Sequence, residues 1–344
     1  ASRVSGNPER LAANAGRSFI GSYVLGMGFT ITPEEAAGLI DRDPRNSEVL
    51  FPYLNGDDLN SHPRQQASRW IVNFFDWPED QARRYPDCFA LLEERVKPER
   101  MEKDARKYPR MVEEWWQYWN IRHELYSAIS GLDRVLVIAL TSKVVQPVFV
   151  PNGQVYSHAL GVFAYNDDGH FGVLSSGFHW WWASTRASTM RTDIRYTPTD
   201  CFETFPQPQL TAAIEEAGRA LNEHRAASMI ENDEGLTKTY NRVHDPDDDN
   251  PGIVRLRQLH VSLDEAVADA YGWSDLDLGH GHHDTPWGTR FTFQPSVRQE
   301  ILDRLLELNH QRYQEEVRQG LHDKPRRRSR SELESGPKLF EDEE

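Results

Sequence analysis

Residues 171–208 read FGVLSSGFHWWWASTRASTMRTDIRYTPTDCFETFPQP, and their order decides what kind of chain this is. The apolar run 171–176 follows Asn166-Asp167-Asp168-Gly169, a composition suited to a hairpin turn, so it reads as a strand ending at Ser175-Ser176. A helix is expected over 177–190, with Trp180, Trp181 and Trp182 in its first turns. The segment leaves through Arg195-Tyr196-Thr197 and then Phe202, Phe205, Pro206 and Pro208, where the prolines mark a boundary.

Outward from this stretch the pattern alternates strands and helices. Residues 134–140, RVLVIAL, form a buried strand, and 144–150 and 155–164 read as further strands. Thr32-Pro33-Glu34-Glu35 starts a helix, while Asp43-Pro44 and Asn55-Gly56 read as turns. Between 79 and 129, Pro86, Pro98 and Pro109 each suit the first turn of a helix. Past residue 208 come a long helix to about 230, an acidic loop at 245–250, a helix near 262–271 and a strongly periodic helix at 296–319. The apolar stripe of that last helix, Val297, Ile301, Leu302, Leu305, Leu306 and Leu308, must be covered. Ile214, Ala217 and Leu221 are its expected partners. The fold class is α+β: a mixed α/β domain over 17–208 and a mainly helical module over 209–324. Residues 1–16 read as a linker from a missing catalytic domain, and 325–344 as a disordered charged tail.

Several motifs share one order along the chain. Ser18-Phe19-Ile20-Gly21-Ser22, Gly26-Met27-Gly28-Phe29, residues 52–59 (PYLNGDDL), residues 69–74 (RWIVNF), Glu114-Trp115-Trp116, residues 122–129, Ala270-Tyr271-Gly272-Trp273 and residues 301–310 accompany the 171–208 stretch. In this order they resemble the target-recognition and helical C-terminal region of MmeI-like and PglX-like adenine-specific DNA methyltransferases of restriction-modification and phage-defence systems. The resemblance implies double-stranded DNA as partner and adenine-N6 methyl transfer by an N-terminal or separate methyltransferase domain. It also implies S-adenosylmethionine as the parent enzyme's cofactor, and other defence-system subunits as further partners.

The catalytic motifs are absent from the sequence. Amino-methyltransferases set an Asn/Asp-Pro-Pro-aromatic tetrapeptide against a flipped base, and this chain contains no Pro-Pro pair. Gly21, Gly26 and Gly28 do not have the spacing of a dinucleotide fingerprint; positive φ in a strand-turn-strand explains them instead. No lysine has an acidic residue two positions before it, as a common nuclease motif requires. No cofactor is therefore expected in this chain.

At 344 residues with 38% hydrophobic content, two domains with cores are expected. No apolar run approaches the roughly 20 residues of a membrane span, so the reading is a cytoplasmic chain with no membrane contact. Cys88 and Cys201 are read as reduced and buried. Net charge is −15, unevenly spread: 22 basic against 26 acidic residues in 1–208, and 17 against 28 in 209–344. An acidic chain opposes phosphate-driven binding, but the nearly neutral first part binds if its cations converge and a tethered domain adds contacts.

The candidate DNA-binding residues are Arg195, Tyr196, Lys143, Ser142, Arg134, Ser175, Ser176 and His179. Arg195 suits a bidentate contact to guanine or a phosphate clamp, against an ion pair with Asp193 or Asp200. Lys143 and Ser142 suit a phosphate contact, against a solvated strand end. Ser175, Ser176 and His179 suit base edges, against helix capping by the serines. The tryptophans, on helical faces, read as scaffold. His280-Gly281-His282-His283-Asp284 offers zinc-ligand types on one short loop, where they cannot easily converge, and is read as a polar loop packing Trp287 and Phe291. Arg326-Arg327-Arg328 either trails over phosphates or neutralises the acidic tail.

Two functions from different classes follow: the sequence-specific recognition part of a DNA methyltransferase, or a structural, protein-interaction subunit of a defence complex, which the acidic balance favours. From the missing motifs, the isolated chain is expected neither to bind S-adenosylmethionine nor to methylate DNA. Calorimetry and incorporation of labelled methyl groups check this, and methyl transfer by the pure chain would place a catalytic site within it.

Overall fold

Capping sets where the N-terminal helices begin. In the computed structural model, which describes residues 2–190 and 193–322, helix α1 (Pro33–Arg42) starts at Thr32. The Thr32 hydroxyl accepts the Glu35 N–H at 3.1 Å and the Glu35 carboxylate accepts the Thr32 N–H at 2.9 Å. Asn55-Gly56, expected as a turn, is also a cap: Asn55 Oδ1 accepts from Asp57 and Asp58 and opens α2 (Gly56–Ser61). Four short helices follow, α3 (Glu79–Ala82), α4 (Pro86–Arg95), α5 (Lys97–Met101) and α6 (Pro109–Glu113), then α7 (His123–Ile129). Pro86, Pro98 and Pro109 occupy first turns, where the missing N–H costs nothing.

The strands form two four-stranded sheets and two smaller ones. Strands β1 (Ser18–Ile20), β2 (Thr30–Ile31), β3 (Leu50–Leu54), β4 (Arg69–Val72) and β5 (Arg134–Ala139) come first. They are followed by β6 (Thr141–Ser142), β7 (Val148–Pro151), β8 (Val155–Tyr156) and β9 (Leu160–Phe163). The order β2-β4-β3-β8 builds the first sheet, over a core of Phe29, Val72, Phe74, Phe89 and Leu92. Trp115 and Trp116 belong to that core; they lie in the turn after α6 and not on a helix, and Trp119 is exposed. The order β1-β9-β5-β7, antiparallel throughout, builds the second sheet. β5 is buried from Val135 to Ala139, so both its faces are covered and its residues run apolar without alternation.

Residues 171–176 are not a strand. Asp167 Oδ1 accepts the His170 N–H at 2.8 Å and starts α8 (Asp168–Ser175), so the expected hairpin turn is a helix cap. Helix α9 (Gly177–Arg186) follows at once and ends four residues earlier than expected, giving way to β10 (Ser188–Met190) and β11 (Asp193–Arg195). The apolar run misled because α8 is buried from Phe171 to Ser175, which removes the periodicity that separates helix from strand. The C-terminal helices are α10 (Ala212–Glu231), α11 (Leu236–Val243), α12 (Pro251–Tyr271) and α13 (Pro295–Arg318). α12 begins well before the expected 262, at the cap supplied by Asn250. The histidine-rich stretch is strand β12 (Gly281–Thr285), paired with β13 (Gly288–Thr292).

The second core is continuous across residue 208, from the second sheet through α8 and α9 to the C-terminal helices. α10 packs on α8 and α12, and α13 packs on α9, not on α10 as its stripe implied. The remaining side of α13 is covered by the N-terminal segment, whose residues were read as a linker. Asp303 accepts from the Ser2 hydroxyl and the Arg3 N–H, Asn309 exchanges two hydrogen bonds with the Glu9 backbone, and Glu316 accepts the Ala12 and Ala13 N–H groups. The tail expected at 325–344, with Arg326-Arg327-Arg328, lies outside the described residues.

The α8–α10 contact is close because glycines face each other. A Cβ at Gly218 would lie 2.2 Å from the Asp168 carbonyl oxygen and 3.2 Å from the Gly172 Cα. Replacing a mid-helix glycine by alanine ordinarily stabilises a helix by about 1 kcal/mol. Here overpacking against backbone outweighs that gain, and Gly218→Ala is expected to destabilise the chain by about 1–3 kcal/mol. Denaturant unfolding checks the sign; an unchanged or raised stability would mean that the helices separate at no cost.

Candidate functional site

One hydroxyl shapes the corner between α8 and α9. Ser176 Oγ donates to the Val173 carbonyl at 2.7 Å and accepts the His179 N–H at 3.3 Å, closing one helix and opening the next. Ser176 is fully buried, so capping accounts for it, not base reading. His179 Nδ1 donates to the Leu174 carbonyl at 2.9 Å, and its Nε2 accepts the Tyr196 hydroxyl proton at 3.0 Å. Burial pushes the His179 pKa down to about 4, so the ring is neutral and its tautomer is set by the carbonyl. Tyr196 is buried beneath the sheet and its N–H donates to the Leu140 carbonyl at 2.7 Å. His179 and Tyr196 therefore hold the end of β11 against α9 and do not face solvent.

β11 is the centre of a three-stranded sheet, β10-β11-β6, with Arg195 opposite Thr141 and Ile194 opposite Ser142. Side chains alternate across a strand, and here Ser142, Ile194 and Tyr196 point inward while Thr141, Lys143 and Arg195 point outward. Ser142 Oγ accepts the Val144 N–H at 3.0 Å and so shapes the strand exit. The alternative ion pair of Arg195 with Asp193 or Asp200 is not formed, Asp200 lying nearer Arg10, and among the described residues neither Arg195 nor Lys143 has a salt bridge. Some exposed arginines elsewhere, such as Arg42, Arg83 and Arg110, are paired with carboxylates, while others, such as Arg64, Arg84 and Arg106, are not paired among the described residues. Arg134 is distant from this face. At the other end of β5, it stacks 3.7 Å over the Phe149 ring and reaches the Asn166 carbonyl and the Asp168 carboxylate, bracing the start of α8.

Ser175 faces a different place. Its buried hydroxyl has no hydrogen-bond partner among the described residues, and the residue lines a cavity with Trp180, Tyr240, His244 and Arg290. Sequence reasoning missed Thr141, Arg290 and the β12–β13 hairpin, whose Trp287 and Thr289, with Lys143 and Asn241, edge a groove of about 350 Å³. The signal in the sequence was Thr285-Pro286-Trp287-Gly288, a turn composition, and in the structure Gly288 takes φ +93° between two five-residue strands. The histidines of the hairpin point to separate partners. His280 Nε2 meets Asp264 at 2.9 Å, His282 the Val243 carbonyl at 3.3 Å and His283 the Gly279 carbonyl at 3.0 Å. Among the described residues no group of three or more His, Cys, Asp or Glu is placed to hold a metal ion. Cys88 and Cys201 are buried free thiols, pushed up to about 12 by desolvation. No helix among the described residues is long and apolar enough to cross a membrane.

A family model described as the MmeI target recognition domain matches residues 13–209. Among solved structures, the chain is similar to the Type IIL restriction-modification enzyme MmeI in complex with DNA, with 19% sequence identity and a TM-score of 0.66. The likeness covers 90% of this chain and 38% of that one, so the present chain spans well under half of that enzyme's length. No curated protein matches the sequence.

The neutral His179 makes stability depend on pH. Its pKa falls from 6.5 in the unfolded chain to about 4 when folded, so the unfolded state binds the proton first. Stability is full above pH 6.5 and falls as pH drops toward 4, by about 1.4 kcal/mol per pH unit from this group. Comparing the pH slopes of unfolding free energy for wild type and His179→Gln between pH 6.5 and 5 isolates the effect. Equal slopes would mean that the imidazole is not held neutral.

Proposed function

This chain belongs to the MmeI target recognition domain family, and we propose that it reads the sequence of double-stranded DNA for a restriction-modification methyltransferase whose catalytic part lies outside these residues. The observation that carries the reading is the outward pair Arg195 and Lys143 on one face of the β10-β11-β6 sheet, free of carboxylate partners among the described residues. A short β-ribbon fits the major groove, and an outward arginine on it donates two hydrogen bonds to guanine O6 and N7. Lys143, a point charge at the strand end, suits a phosphate, and Thr141, opposite Arg195, supplies a hydroxyl.

The parent enzyme is read as an adenine-N6 methyltransferase using S-adenosylmethionine, acting in the cytoplasm, where other defence-system subunits are further partners. Such an enzyme must flip its base, and a separately seated reader leaves that base free for the catalytic domain. The charge of −15 makes the isolated chain a weak binder. Tethering to a catalytic domain with its own phosphate contacts raises the effective concentration and restores affinity. The same acidity favours the second reading, a structural subunit that keeps the recognition fold without reading bases.

Selection from a random duplex library, followed by binding to the selected and to scrambled duplexes over a salt series, separates the two readings. Arg195→Ala is expected to cost about 1–3 kcal/mol on the selected site and to relax preference at one base pair, whereas Lys143→Ala weakens all duplexes alike. Equal losses on selected and scrambled DNA for Arg195→Ala would demote Arg195 to a phosphate contact. No enrichment and no salt-dependent binding would leave the structural-subunit reading.

A further inference from the structure

Behind the N-terminus of α9 lies a cavity whose walls offer hydrogen-bond donors with nothing to receive them. The Trp180 Nε1–H and the Ser175 hydroxyl, on residues 4% and 1% exposed, have no partner among the described residues. His244 Nδ1 accepts the Phe291 N–H at 3.1 Å, which puts the proton of the neutral ring on Nε2, and that N–H is also shielded and unpartnered. Buried polar groups in folded proteins are almost always paired, and three orphans on one cavity point to a missing acceptor.

The charge balance has the same sign. Arg290, 9% exposed, lies 4.6 Å over the Trp180 ring, and among the described residues the only hydrogen bond of its guanidinium is a long one, 3.4 Å, to the Lys143 carbonyl. Arg225, 1% exposed, bonds the Pro147 carbonyl and the Tyr240 hydroxyl of the cavity wall and leaves its Nε unpartnered. Among the described residues neither guanidinium has a carboxylate partner. The one buried carboxylate in the wall, Asp264, is already engaged: Oδ1 accepts the Gly177 N–H at 2.6 Å and Oδ2 meets His280 at 2.9 Å. One buried cation in the wall, Arg290, with Arg225 behind Tyr240, thus stands against one occupied anion. The void, about 50 Å³, holds roughly four waters at about 10–15 Å³ each, or one tetrahedral oxyanion.

We propose that this cavity is an oxyanion site that takes a phosphate group, held by Trp180 Nε1, His244 Nε2, the Ser175 hydroxyl and the Arg290 guanidinium. Charge-assisted bonds from a guanidinium with convergent N–H donors are the usual means of holding such a group. Arg290 and His244 also border the groove beside Lys143, so the phosphate comes either from free phosphate or from a DNA backbone. The site itself stands apart from the DNA-reading proposal; only its source depends on that reading.

The test uses the whole chain, with inorganic phosphate as probe and sodium chloride at equal ionic strength as control. Melting temperature and tryptophan fluorescence are expected to respond saturably to phosphate and not to chloride. Arg290→Gln should weaken binding by about tenfold or more, while Arg219→Gln, on the exposed face of α10, should not. Ser175→Ala, which removes one hydroxyl and leaves the fold, should weaken binding measurably and decides the matter if Arg290→Gln does not fold. No saturable response in the wild type, or unchanged affinity in Ser175→Ala and in any folded Arg290→Gln, overturns the proposal. In a second arm, phosphate that competes with a bound duplex identifies the DNA backbone as the source. Independent binding of the two identifies free phosphate.

Discussion

The double use of the Ser176 hydroxyl is the hinge on which the β10-β11-β6 face turns. By accepting from His179 and donating to Val173 it joins α8 to α9 without an intervening loop. That joint aims His179 at Tyr196, and the 3.0 Å bond between them seats the end of β11 against the helix. With Tyr196 held inward, strand alternation leaves Arg195 no choice but to point out. A residue that touches no partner molecule thus sets the direction of one that is free to do so.

The aromatic residues that dominate the central stretch serve as walls. Trp182 is fully buried, and Trp180 and Trp181 meet Trp287 of the β12–β13 hairpin edge to face at 5.3 and 6.2 Å. Each tryptophan also carries a guanidinium over its ring: Arg290 on Trp180 at 4.6 Å, Arg298 on Trp181 at 4.7 Å and Arg186 on Trp182 at 4.7 Å. These stacks keep cations near the core where carboxylates are scarce, worth about 0.5–2 kcal/mol each when desolvated. Local positive charge is thereby concentrated within an acidic chain. Total charge governs how strongly the chain is repelled by a polyanion, whereas the placed cations govern where it makes contact.

Some of this was legible in the sequence, and the reason is that it is local. The Thr32–Glu35 capping box, the first-turn prolines and the periodic helices α10 and α13 depend on residues within a turn or two of one another, so the starts of α1 and α4 to α6 and the bounds of α10 and α13 lie near those expected, whereas α11 was not expected and α12 begins eleven residues early. The motif order carried the family, because six or more short motifs in sequence seldom coincide by chance. α8 was misread as a strand because an apolar segment buried on every side has no period to read. What makes it a helix is its cap at Asp167 and the space left by Gly218 of α10.

The candidate site divided along the same line. That Arg195, Lys143, the serines and His179 are candidates followed from the sequence, since residue type and motif order suffice to name them. Which of them reach solvent did not. Pairing of β11 with the distant β6 decides that Arg195 and Lys143 share the outer face while Ser142 and Tyr196 are buried, and a one-residue slip would exchange the two sets. The cavity of unpartnered donors was beyond reach for the same reason: Ser175, Trp180, His244 and Arg290 converge only when α8, α9, α11 and the β12–β13 hairpin pack together. Local chemistry is written in consecutive residues, but exposure and convergence belong to contacts between residues far apart in the chain, and those exist only once the core has formed.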